Sequence, residues 1–301
     1  MAIKNGLTPR FAEVGKIKIG GKGETRPTKD GKGTYQLPVK YDHFVVTTTE
    51  KGKDGNFIID KEIMSKLGNE PKEIPIRLPF DSIDMNFFTS FQYYHGNKCV
   101  CKGDGEHAVR VGQDGIEKNI KCDTSECEYL KAEKCKVSGI LSCHIPHSLQ
   151  VGGVYRFRTH SWNSVSNILA SLEYISENTK GILQGLPLKL VFLKKATQEH
   201  GNVNVVTVVL DGVEMMKARD LAWLEFENRT KLGLDMKLLE GKARDAGFMT
   251  DTDDPADVQA EFYNVIDAEM VPVGVSADDV AEKLKSEKKV VEKQENTGSL
   301  L

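Results

Sequence analysis

Four cysteines fall within twenty-two residues, Cys122, Cys127, Cys135 and Cys143, in the spacing C-x4-C-x7-C-x7-C. The stretch that holds them is rich in Lys, Glu and Asp and poor in large apolar side chains. A segment of that composition has too little apolar surface to order itself by burial. Four thiolates around one Zn²⁺ supply what the missing core does not. Metal binding at a structural zinc is folding free energy, roughly 10–16 kcal/mol in isolated fingers. Free thiols, or two disulfides in an oxidising compartment, are the alternatives. The opening MAIKNGLTPRF has no apolar h-region, so no secretory leader is expected and a cytoplasmic, reducing setting is.

The spacing departs from the usual ribbon or finger, where ligands arrive as two tight pairs. Only Cys122 and Cys127 are nearly that close. Cys135 and Cys143 can pair only if residues 136–142 turn back, and Gly139 is the candidate for that turn. Cys99 and Cys101 form a C-x-C on an expected strand, which puts both side chains on one face. They read as buried core thiols, either of which can replace a ligand. His144 and His147 are reserve ligands. An all-sulfur set makes a closed structural site with no position for a water, which weighs against metal catalysis.

At 301 residues, 39 % hydrophobic and 28 % charged, the chain has room for one large domain or two smaller ones. No run of eighteen apolar residues occurs, so no membrane span is expected. The net charge of −3 hides an asymmetry. Residues 1–40 hold nine Lys/Arg against three Asp/Glu, and residues 251–301 hold thirteen Asp/Glu against five Lys. A basic front and an acidic tail point to an acidic or nucleic-acid contact at one end and a solvating segment at the other, or to two solvated ends.

Along the chain, residues 1–40 read as a mobile, basic, glycine-rich loop without a G-x-x-x-x-G-K-[ST] phosphate cradle. Residues 42–49 (DHFVVTTT) predict a strand, 61–67 a short helix capped by Asp60, and 73–78 (EIPIRL) an edge strand because of Pro75. The aromatics Phe87, Phe88, Phe91, Tyr93 and Tyr94 sit at spacings that predict one helical face. Residues 98–102 and 107–111 predict a hairpin around Asp104-Gly105. Strands are expected at 140–145, 154–160, 186–194 and 203–210. A helix is expected from Ser161 to about residue 175, and helical chain from 212 to 247, broken at Gly233 or Gly241. Asp254-Pro255 predicts a further helix start, Ser276 with Asp279 a capping box, and the last residues a disordered tail.

This order predicts an α+β fold of mostly antiparallel strands, with a Greek-key, OB-like barrel, an inserted four-Cys zinc module and a helical C-terminal extension. The expected divisions are residues 1–96, with the basic loop; 97–211, zinc-containing and β-rich; 212–275, helical; and 276–301, a charged helix and tail. On such a barrel Arg156, Arg158 and Trp162 would line a strand-tracking groove, with Lys16, Lys18, Lys22 and Arg26 adding phosphate contacts from the loop. The alternative for the arginines is a solvated strand face, and for Trp162 a place in the core. No nucleophile elbow, H-E-x-x-H pair or dinucleotide fingerprint is present, so no catalysis is expected.

Several segments taken together resemble a known family: PRFAEVGKIKIGGKG at 9–23, KYDHFVVTTTE at 40–50, EIPIRLPFD at 73–81, CVCKGDG at 99–105 and the four cysteines. GGVYRFRTHSWNSVSNI at 152–168 and GLPLKLVFLKK at 185–195 continue it. The chain resembles the phage and prophage recombination directionality factors that act with large serine integrases, proteins often described only as metal-binding or hydrolase-like. The resemblance covers about residues 8–210. It implies a factor in the bacterial cytoplasm that docks on an integrase bound to its attachment-site DNA and favours excision over integration. It implies no chemistry of the factor's own, no small-molecule substrate and no membrane. The competing expectation is a phage replication accessory that binds single-stranded DNA through the barrel.

Overall fold

The computed structural model describes residues 11–27, 34–53, 55–95, 98–112, 115–146, 148, 152–197 and 201–245. His147, the Asp254-Pro255 helix start, the Ser276 capping box and the tail lie outside the described residues. The glycine-rich front end is not a loop over most of its length. It forms β1 (Ala12–Pro27), antiparallel to β2 (Thr34–Lys51). Glycine weakens the sequence signal for a strand but here makes the pairing possible. A Cβ on Gly15 would stand 2.6 Å from both the Thr47 carbonyl oxygen and the Tyr155 ring.

β3 (Phe57–Ile59) precedes α1 (Lys61–Leu67), whose N-cap Asp60 accepts from the Ile63 N–H at 3.0 Å. β4 (Glu73–Ile76) follows. The helix expected across the aromatic run is only the single turn α2 (Ile83–Asn86), after which Phe87–His95 is strand β5. From Ser90 the burial alternates, with Ser90, Gln92 and Tyr94 inside, a period of two rather than 3.6. β6 (Lys98–Gly103) and β7 (His107–Val111) form the expected hairpin. The Asp104 carboxylate accepts from the Glu106 and His107 amides at 2.8 and 2.7 Å. Then come β8 (Glu117–Lys121), α3 (Glu128–Lys131), β9 (Lys136–Cys143), β10 (Gly153–Thr159) and α4 (Trp162–Asn178). β11 (Leu188–Thr197), β12 (Gly201–Leu210), α5 (Met215–Leu232) and α6 (Met236–Asp245) complete the order. The helix break falls at Gly233, in the left-handed region at φ +68°.

Nine strands form one sheet in the order β3-β2-β1-β10-β9-β5-β6-β7-β8, and three form a second, β12-β11-β4. The pairs are antiparallel except β1 with β10. The fold is therefore α+β with its last helices C-terminal, but the sheet does not close and the OB-like barrel is not formed. β10 lies in the large sheet and β11 in the small one. Between them α4 carries the chain across and packs on β12, where the Ser164 hydroxyl accepts from the Val206 amide at 3.1 Å. The core fills the space between the sheets: Phe44 of β2 meets Phe157 of β10 and Phe192 of β11 edge-on, with ring centroids 6.3 and 6.0 Å apart.

Candidate metal centre

Cys101 near the end of β6, Cys122 just after β8, Cys127 at the start of α3 and Cys135 just before β9 line one cavity of about 20 Å³, together with Arg110 and Tyr129. Burial pushes the Cys135 thiol up to about 12, reinforced by the neighbouring Cys101, Cys127 and Cys122 sulfurs. Among the described residues no three of these sulfurs lie mutually within 4.8 Å, so the closed four-sulfur module expected from the sequence is not formed at these distances. One trio of ligand-bearing side chains does meet that spacing: Asp42, His43 and Glu70. A hydrogen-bond contact with the His43 ring at 3.0 Å and an ion pair with Lys194 at 3.6 Å account for Asp42.

The structure keeps Cys143 apart from the other three cysteines of the expected set. β9 runs straight from Lys136 to Cys143, and Gly139 lies inside it, paired with Thr89 and Thr159, rather than in a turn. Eight residues at about 3.3 Å each put Cys143 about 26 Å from Cys135. Cys143 is wholly buried in the main core, its thiol 3.8 Å from the Tyr155 carbonyl oxygen, and burial alone pushes it up to about 12. His144 goes with it, bridged to Arg77 through the backbone.

Cys99 and Cys101 do not share an environment either. A register shift sets Cys101 opposite Tyr93 and Cys99 opposite Tyr94, the bulge geometry that re-aims a side chain. Cys101 is buried and lines the cavity, while the Cys99 thiol lies 3.6 Å from the Cys101 carbonyl oxygen.

Glu13 gathers the basic residues expected to face phosphates. Its carboxylate accepts from Lys16 at 2.8 Å, from Arg158 at 3.0 and 2.6 Å and from Arg156 at 3.4 Å, with the Lys16 and Arg158 side chains almost wholly buried. Burial raises the Glu13 carboxyl, but the Arg158 and Lys16 contacts outweigh it and hold the group at about 2. Lys18 lies over the Phe57 ring at 5.1 Å. The side chains of Lys22 and Arg26 lie outside the described residues. Trp162 is 55 % exposed, with its ring 5.4 Å from Phe91.

An exposed apolar face went unread in the sequence. On α5, Met216, Trp223 and Leu224 face solvent away from the buried Ala218, Ala222 and Arg229, and the half-exposed Phe226 lies at the edge of that face. The Trp223 and Phe226 rings are 5.7 Å apart. The run WLEF, apolar beyond what one buried helical stripe needs, was the available signal. Arg229 anchors the other side. It pairs with Asp81, whose carboxylate also accepts from the Leu183 and Gln184 amides at 3.0 and 2.9 Å.

A family model described as Gp3-like, recombination directionality factor-like, matches residues 14–214, about two thirds of the chain. The chain belongs to that family. The match runs from within β1, one residue after Glu13, to the residue before α5, and includes the cysteine cavity and nearly all of both sheets. No curated protein and no solved structure matches the chain. No helix among the described residues is long and apolar enough to cross a membrane.

Proposed function

We propose that the chain is a recombination directionality factor that docks on a large serine integrase bound at its attachment sites, shifting it from integration to excision without chemistry of its own. The family match over residues 14–214 carries this reading. The factor works as a population shift: it binds the excision-competent assembly more tightly than the integration-competent one. A coupling of about 1–3 kcal/mol is worth roughly 5–150-fold, so a complete reversal calls for several bound subunits. The exposed apolar face of α5 supports protein docking, because an uncovered aromatic and aliphatic patch of this kind marks an interaction surface. The single-stranded-DNA alternative rested on the inferred barrel and on the basic N-terminal loop, and the described sheet does not close into a barrel.

The test is recombination with the integrase from the same genome. Added factor is expected to permit recombination between the two hybrid sites and to inhibit it between the original pair, and the factor alone is expected to leave DNA intact. No change in either direction at saturating factor overturns the reading.

A further inference from the structure

We infer that Cys101, Cys122, Cys127 and Cys135 hold one structural zinc ion, with Cys101 in the place that spacing alone gives to Cys143. The four thiols come from separate elements, β6, the end of β8, the start of α3 and the approach to β9, yet line a single small cavity. The region around them lacks another source of order. Among the described residues from 98 to 135, only Cys101, Gly103 and Ala108 are buried. A polar sheet extension with three small buried residues gains little from burial, and a four-thiolate ion ties its strands together instead.

Local details fit the ligand set. Gly103 leaves space for Cys122, because a Cβ there would meet the Cys122 sulfur at 2.7 Å. Zinc with four thiolates carries a net charge of −2, and a cation is already in place. Arg110 lines the cavity over the Tyr129 ring at 4.5 Å, and its buried Nε has no hydrogen-bond partner. Binding replaces four S–H bonds by four Zn–S bonds and releases four protons, with no change of oxidation state. Zn–S bonds of about 2.3 Å bring tetrahedral sulfurs to about 3.8 Å from one another. The segments that must draw in lie within residues 115–135, where no described side chain is buried, and the first buried apolar anchor after them is Val137 in β9.

The test is metal content of the full chain purified without chelator, followed by replacement of zinc with Co²⁺ to read thiolate ligation from its absorption. The expected result is one zinc per chain in the wild type, with the zinc content and the cobalt spectrum unchanged in Cys143→Ala and Cys99→Ser. Cys101→Ser is expected to bind zinc at least about tenfold more weakly. Should that variant not fold, Cys101→His is expected to retain the ion with a weaker thiolate-to-cobalt band. Wild-type protein without zinc and with all four thiols freely reactive overturns the proposal. So does loss of the ion in Cys143→Ala, or unaltered affinity and spectrum in the Cys101 variants. None of these outcomes bears on recombination, so the family reading stands or falls separately.

Discussion

Cys135 just precedes strand β9 and Cys143 ends it, about 26 Å apart at the usual rise per residue. The first faces a cavity shared with three other thiols, and the second lies in the main core against Tyr155. The two thiols therefore answer to different tests.

Cys143→Ala is expected to cost about 1–2 kcal/mol through a small cavity in the core, and Cys143→Ser more, because a hydroxyl enters an apolar site. Urea titration of both variants checks this. A loss near zero in each would mean that Cys143 is not packed as described.

Glu13 sets a second expectation. Glu13→Gln leaves Lys16, Arg156 and Arg158 close together with their shared carboxylate gone, at a cost of about 3–5 kcal/mol. The folded carboxyl sits at about 2, against a reference near 4.5. A lowered folded value stabilises the protein above the unfolded value, and that contribution fades as pH falls from 4.5 through 2. The wild type and Glu13→Gln are expected to differ most above pH 4.5 and to converge below about 2, as read by denaturant titration across that range.

Arg229→Met is expected to free α5 from the loop that Asp81 organises. Breaking this largely buried pair costs about 3–5 kcal/mol. Hydrogen exchange should show α5 amides losing protection while β11 and β12 keep theirs. Equal loss across all three would mean that the helix and the small sheet unfold as one unit.

DNA binding by the factor alone is expected to be weak and steeply salt-dependent. Lys16→Gln is expected to leave the slope of log K against log salt unchanged, because Lys16 is committed to Glu13. A gel-shift series over ionic strength reads this directly. A slope reduced by about one would return Lys16 to the phosphate-facing set.

Much of the local structure was legible. The Asp60 and Ser161 caps, the Asp104-Gly105 hairpin, the Pro75 edge strand and the Gly233 stop each depend on a residue and its near neighbours. The aromatic run misled because Phe87, Phe88 and Phe91 fit a helical face, while packing selected the strand alternation of Ser90, Gln92 and Tyr94. The front end departs from the expected loop because its glycines permit close strand pairing, with Gly15 leaving room for Tyr155 and Thr47.

What the sequence determined by itself was the composition of a segment with four thiols and no core, the short-range caps and turns, and the family to which the chain belongs. Tertiary structure decided which thiols meet and which charges remain available. Strand register and the bulge opposite Tyr93 and Tyr94 brought Cys101 to the cavity, and the straight run of β9 took Cys143 away. The parallel pairing of β1 with β10 set Glu13 beside Arg156 and Arg158, which lie 143 and 145 residues away along the chain. Spacing along a chain fixes distance only within one element, and these partners come from strands whose order in the sheet no local signal encodes.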